Sequence, residues 1–141
     1  MRRHVIEKFA RKQRGVETIE VAVVLPLMLL VMFAGFEYGW AFLKSIQLDH
    51  AARIGAREAS LSDATAAGVD ARIQASLQDA GLAGATITYV PADPAVVAAG
   101  TRVEITVEIP YSTNRLLGLS KIMPLPTTLR GRASAVKEPD P

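Results

Sequence analysis

Residues 21–36 read VAVVLPLMLLVMFAGF, sixteen positions without a charge, and Glu37 is the only charged side chain between them and Lys44. Counted on to Leu43 the stretch is 23 residues long. As a helix rising about 1.5 Å per residue it covers roughly 35 Å, enough to cross a ~30 Å hydrocarbon core. Ten of the sixteen are Val, Leu or Phe. Each contributes about −0.3 to −0.6 kcal/mol to insertion against roughly +2.5 to +3.5 for one acid at mid-depth, so the run inserts even with a carboxylate near its end. Pro26 breaks the rule for soluble helices, where it costs about 3 kcal/mol by clash and by leaving the Ala22 carbonyl without its donor. In lipid two readings of Pro26 stand: a kink absorbed by neighbouring helices, or a point that melts when subunits pack.

The charge upstream of this run sets its orientation. Residues 1–15 hold six Lys or Arg against the single acid Glu7, a net of +5, while the rest of the chain has ten basic and thirteen acidic residues. Basic residues flank the cytoplasmic end of a span, so the N-terminus is expected inside and residues 44–141 outside. The pI of about 9.2 is therefore a property of the leader. Residues 44–141 balance ten basic with ten acidic side chains and show no basic stripe for phosphates, which argues against a nucleic-acid partner. The chain divides into a basic leader at 1–15, a transmembrane helix at 16–43 and an outer domain at 44–141.

Composition agrees with that division. The 141 residues are 50% hydrophobic and 21% charged with a mean hydropathy of +0.22, room for one small domain and one anchor. Cysteine is absent, which removes thiol nucleophiles, Cys-based zinc sites and iron–sulfur ligation. His4 and His50 are the only histidines, too few for a multi-histidine metal centre. With no Gly-rich phosphate loop and no paired-carboxylate cleft, the expectation is a non-enzyme with no cofactor, no metal and no small-molecule substrate.

Around the apolar run the chain reads RGVETIE at 14–20, FEYGWAF at 36–42 and QLDHAARIGAREAS at 47–60. The first of these resembles a type IV prepilin leader junction. The order and spacing of Glu20, Pro26, Glu37 before an aromatic and Gly39, and the AAR-x-GAR stretch together resemble the TadE-like family, pseudopilins of tight-adherence (Tad, or Flp) pili. The likeness covers about 45 residues, from Gly15 to Ala59. It implies cleavage between Gly15 and Val16 by a prepilin peptidase, and Gly suits an extended bond in a narrow protease cleft. It also places Glu20 at the fifth position of the cut chain. There its carboxylate either meets the new Val16 amine of a neighbouring subunit or snorkels to the headgroups. Glu37, beside Tyr38 and Trp40, is either an interfacial charge in an aromatic belt or a subunit contact.

Beyond the span the helix continues through Leu43, Ile46 and Leu48 into a run of small residues, Ala51, Ala52, Gly55, Ala56 and Ala59, suited to close packing. Asp49 and Arg53, spaced i, i+4, are placed to pair for ~0.3–0.5 kcal/mol. A second helix is expected over 64–80, capped by Asp63 or Ser62 and ended by Gly81. Strands are expected at 85–90, at 101–111, where Val103, Ile105, Val107 and Ile109 alternate with polar residues, and at 127–136. The result is a pilin-like α+β fold: one long N-terminal helix, a short second helix and a small three-stranded antiparallel sheet. Between the last two strands lies an apolar loop with Leu116, Leu117, Leu119, Ile122, Met123 and Leu125. It either closes a minimal core or docks another subunit.

The functional expectation is a structural pseudopilin, a minor subunit held by membrane lipid in the bacterial inner membrane, whose partners are prepilin peptidase, other pilins and Tad machinery. Its rival is an uncleaved bitopic anchor whose outer domain binds an envelope partner.

Overall fold

The computed structural model describes residues 2–94 and 96–139, with side chains from residue 17 onward. Helix α1 spans Arg2–Ser60 and α2 spans Ala66–Asp79. Strands β1 (Thr86–Val90), β2 (Arg102–Pro110) and β3 (Thr128–Val136) follow, with single 3₁₀ turns at Tyr111–Thr113 and Leu119–Lys121 between β2 and β3. The fold is α+β, as the sequence pattern predicts. Contacts divide the chain into two units, the first ending at Phe36 and the second starting at Glu37.

In the first unit every side chain from 17 to 36 is exposed except Ala34, which is half-buried. Among the described residues this part of α1 buries no apolar side chain within its own unit. Among the described residues α1 is the one helix long and apolar enough to cross a membrane.

The second unit is built on alternation. In β2, Val103, Ile105, Val107 and Ile109 are buried while Glu104, Thr106 and Glu108 lie on the wetter face. The sheet order is β1-β2-β3 with both pairs antiparallel, Ile87 opposite Val107 and Ile109 opposite Leu129. Arg130 pairs with Glu108 directly across the ladder, and Arg132 reaches Glu104 at 3.0 Å. Both ion pairs are half-exposed and add little beyond register.

The cover of the sheet is the second part of α1. Buried positions recur at Glu37, Ala41, Lys44, Leu48, Ala51 or Ala52, Gly55 or Ala56, and Ala59, a stripe with steps of three and four residues. The small residues let other elements come close. At Gly55 a Cβ would run into the side chain of Ile73 on α2, and at Gly131 of β3 it would fall on the Leu48–Asp49 peptide unit. Asp49 is committed to this contact, accepting from the Arg132 backbone N–H at 3.0 Å. The expected Asp49–Arg53 pair does not form, because the carboxylate satisfies a strand amide instead of a neighbour on its own helix.

Helix α2 packs Val69, Ile73 and Leu77 into the same core. Its cap is Thr65, whose hydroxyl accepts from the Gly68 N–H at 3.1 Å, not Asp63 or Ser62. The extended backbone that a cap needs comes at Thr65, two residues after Asp63 and three after Ser62. Its end is as expected: Gly81 takes a φ of +65°, the Gly81 N–H donates to Gln78 O and the Leu82 N–H to Leu77 O, a Schellman closure that buries Leu82. The end of α1 is tied down from the far end of the sheet. Lys137 Nζ donates to Leu61 O at 2.6 Å and the Glu138 N–H to Ser60 O at 2.8 Å, a cation at a helix C-terminus.

Candidate functional site

The stripe of α1 that covers the sheet begins with a carboxylate. Glu37 is 0% exposed and occupies the position that Leu48 and Ala41 take further along. Both its oxygens accept: Tyr111 Oη donates to Oε1 at 2.5 Å and the Leu117 N–H to Oε2 at 2.7 Å. The amides of Leu116 and Gly118 also face the carboxylate. Two acceptor oxygens met by donors are what an ionised carboxylate requires when water is excluded.

Tyr111 reaches this position because it extends the inward-facing register of β2 by one more step, 103, 105, 107, 109 and then 111. Its hydroxyl is pushed well above the ordinary phenol range, first by burial and then by the hydrogen bond and charge of Glu37. The proton therefore stays on tyrosine, which donates it in the hydrogen bond to Glu37.

The helix residues beside Glu37 hold the same loop. Tyr38 Oη donates to Pro124 O at 2.8 Å and Trp40 Nε1 to Asn114 O at 2.7 Å. Lys44, one turn on, lies 4.9 Å from the Trp40 ring centre and donates to Ala80 O at 2.7 Å, at the C-terminus of α2. Glu37, Tyr38, Trp40 and Lys44 thus form a clamp that binds the 111–125 loop and the end of α2 to one stretch of α1. Of the apolar loop residues, Leu125 packs against the core, whereas Leu116, Leu117 and Ile122 stay exposed.

The remaining residues singled out from sequence lie elsewhere. Glu20 is exposed on the first unit beside Val21, Val24, Leu25 and Met28, and Pro26 is exposed with α1 running through it. Gly15 and Val16 belong to the stretch whose side chains lie outside the described residues. Glu20 and Glu37 fall in different units. Among the described residues no group of three or more His, Cys, Asp or Glu is placed to hold a metal ion. A cleft of about 660 Å³ between α1 and α2 is lined by Asp49, His50, Arg53, Arg72 and Asp79 among others and mixes both signs of charge.

Sequence reading singled out Glu37 but missed its partners. The signal was present: Tyr111 follows an unbroken alternation, and an inward tyrosine needs an acceptor for its hydroxyl. Glu37 lies in phase with Ala41, Leu48 and Ala52 on a helix. What the pattern lacks is the loop conformation that presents the Leu117 amide.

Residues 15–57 match the family model described as TadE-like protein. No curated protein and no solved structure matches the chain.

Proposed function

We propose that this TadE-like chain is a single-pass pseudopilin of a Tad-type pilus, a minor subunit cut between Gly15 and Val16. Its N-terminus is cytoplasmic and the chain beyond the apolar run lies on the outer side of the inner membrane. The observation that carries the reading is the extent of the family match, which opens at Gly15 and takes in Glu20, Pro26, Glu37 and the AAR-x-GAR stretch as far as Arg57. The exposed apolar stretch of α1 supports a membrane-held state before assembly. In that state the basic leader stays on the cytoplasmic face, where prepilin peptidase acts on the Gly15–Val16 bond.

The role is structural. The apolar helix holds the subunit in lipid, and Glu20 meets the freed Val16 amine of a neighbour, pairing a carboxylate that is costly alone in a membrane. The folded unit from Glu37 onward presents surfaces to other pilins and Tad machinery.

Intact mass and N-terminal peptide sequencing of the membrane-purified protein test this directly. Co-expression with a prepilin peptidase is expected to yield a chain starting at Val16, and expression without it a chain retaining residues 1–15. Retention of the leader under both conditions overturns the processed-pseudopilin reading in favour of an uncleaved bitopic anchor.

A further inference from the structure

The loop between β2 and β3 is held firmly yet keeps part of its apolar surface outside. It is pinned to α1 through Tyr111, Asn114, Leu117 and Pro124. Even so, Leu116 and Leu117 are each 48% exposed and Ile122 is 68% exposed. A loop fixed at four points does not leave three large aliphatic side chains in water by default, and such surface marks a binding region.

Its charge narrows the choice of partner. Residues 111–127 read YSTNRLLGLSKIMPLPT, with Arg115 and Lys121 as the charged side chains and no acid. Both cations are exposed. Aliphatic side chains interspersed with Arg and Lys suit an anionic lipid surface, where apolar groups enter the headgroup boundary and the cations meet phosphates.

Connectivity supplies the second constraint. The carboxylate that holds Leu117 belongs to Glu37, which is joined by a peptide bond to Phe36, the last residue of the apolar run. The loop is therefore held at the residue of the second unit to which the apolar run is joined. Phe42 and Leu43, on the turns of α1 just after it, are exposed as well.

We propose that the 114–124 loop rests on the lipid surface of the bilayer crossed by α1, with Leu116, Leu117 and Ile122 in the headgroup boundary and Arg115 and Lys121 on anionic headgroups. This rests on the membrane-span reading above. The loop acts as a collar that fixes how far the helix enters lipid and steadies the folded unit against the membrane.

The absence of cysteine makes the test clean. Single-cysteine variants Leu117→Cys and Ile122→Cys are labelled with bimane in the full chain, with Leu29→Cys as the span position and Ser134→Cys as the control. Ser134 pairs with Glu104, toward the end of β2 away from Tyr111. The proteins are placed in nanodiscs of phosphatidylethanolamine and phosphatidylglycerol containing a lipid with a nitroxide high on its acyl chain. Probes at 29, 117 and 122 are expected to lose about half of their fluorescence while the probe at 134 keeps it. Replacing phosphatidylglycerol by phosphatidylcholine, or Arg115→Gln with Lys121→Gln, is expected to cut quenching at 117 and 122 about twofold and leave position 29 unchanged. Quenching at 29 with 117 and 122 as bright as 134 overturns the collar and leaves the span intact. Brightness at all four positions overturns the span and the collar together. A blue-shifted emission at 117 and 122 without quenching assigns the surface to a second copy of this chain and overturns the lipid proposal.

Discussion

At the scale of single residues, one carboxylate decides how α1 meets the rest of the second unit. Glu37 replaces an apolar residue in a buried stripe, and its burial is tolerated because Tyr111 and the Leu117 amide satisfy it. Removing either side of the pair leaves the other buried and unmet. Tyr111→Phe is expected to lower stability by about 1.5–3 kcal/mol, and Glu37→Gln, which turns an amide N–H₂ toward a donor, by a similar amount. The double variant is expected to cost less than the two together, since each single change already orphans the shared bond. Denaturant unfolding of the four proteins in micelles measures the coupling, and strict additivity would mean that the two groups act independently.

At the scale of elements, the decisive contact is backbone against backbone. β3 meets α1 at Gly131, where a side chain would fall on the Leu48–Asp49 peptide, and the Arg132 amide donates to Asp49 beside it. Peptide groups cannot swing aside as side-chain tips can. Gly131→Ala is therefore expected to cost about 3 kcal/mol or more and to abolish the folded state in most preparations, because the helix must lift off the sheet. Gly55→Ala meets the flexible end of Ile73 and is expected to cost about 1–3 kcal/mol. Thermal unfolding followed by circular dichroism separates the two, and equal losses would contradict the packing described.

At the scale of the whole second unit, two tyrosines join separate elements through carboxylates. Tyr89 of β1 donates to Asp70 of α2, and Tyr111 after β2 donates to Glu37 of α1. Burial first, and the carboxylate second, raises both phenols above their ordinary value of 10.0. The folded state thus keeps protons that the unfolded chain releases above about pH 10. The stabilisation is complete below that pH and declines as pH rises toward the folded values. Denaturant midpoints measured across this range are expected to fall with pH, and Tyr89→Phe with Tyr111→Phe to flatten the fall. An unchanged slope in the double variant would assign the alkaline loss to other groups.

Elements with a clear period were legible from the chain alone: the apolar run, the alternation of β2, the small-residue stripe of α1 and the glycine that ends α2. Each reports a local preference, a side chain's solvent or a backbone angle, which one segment carries within itself. Residue partnerships were not legible, because they join positions far apart in sequence. The i, i+4 spacing matches Asp49 with Arg53 four residues away, whereas Asp49 binds the Arg132 amide. Glu37 pointed to an interface and is closed by Tyr111 and Leu117. Thr65 rather than Asp63 caps α2, since the chain turns into the helix only there. Periodicity determines which face of an element leaves water; which polar group waits on that face depends on where the other elements bring their donors, and only the tertiary structure decides it.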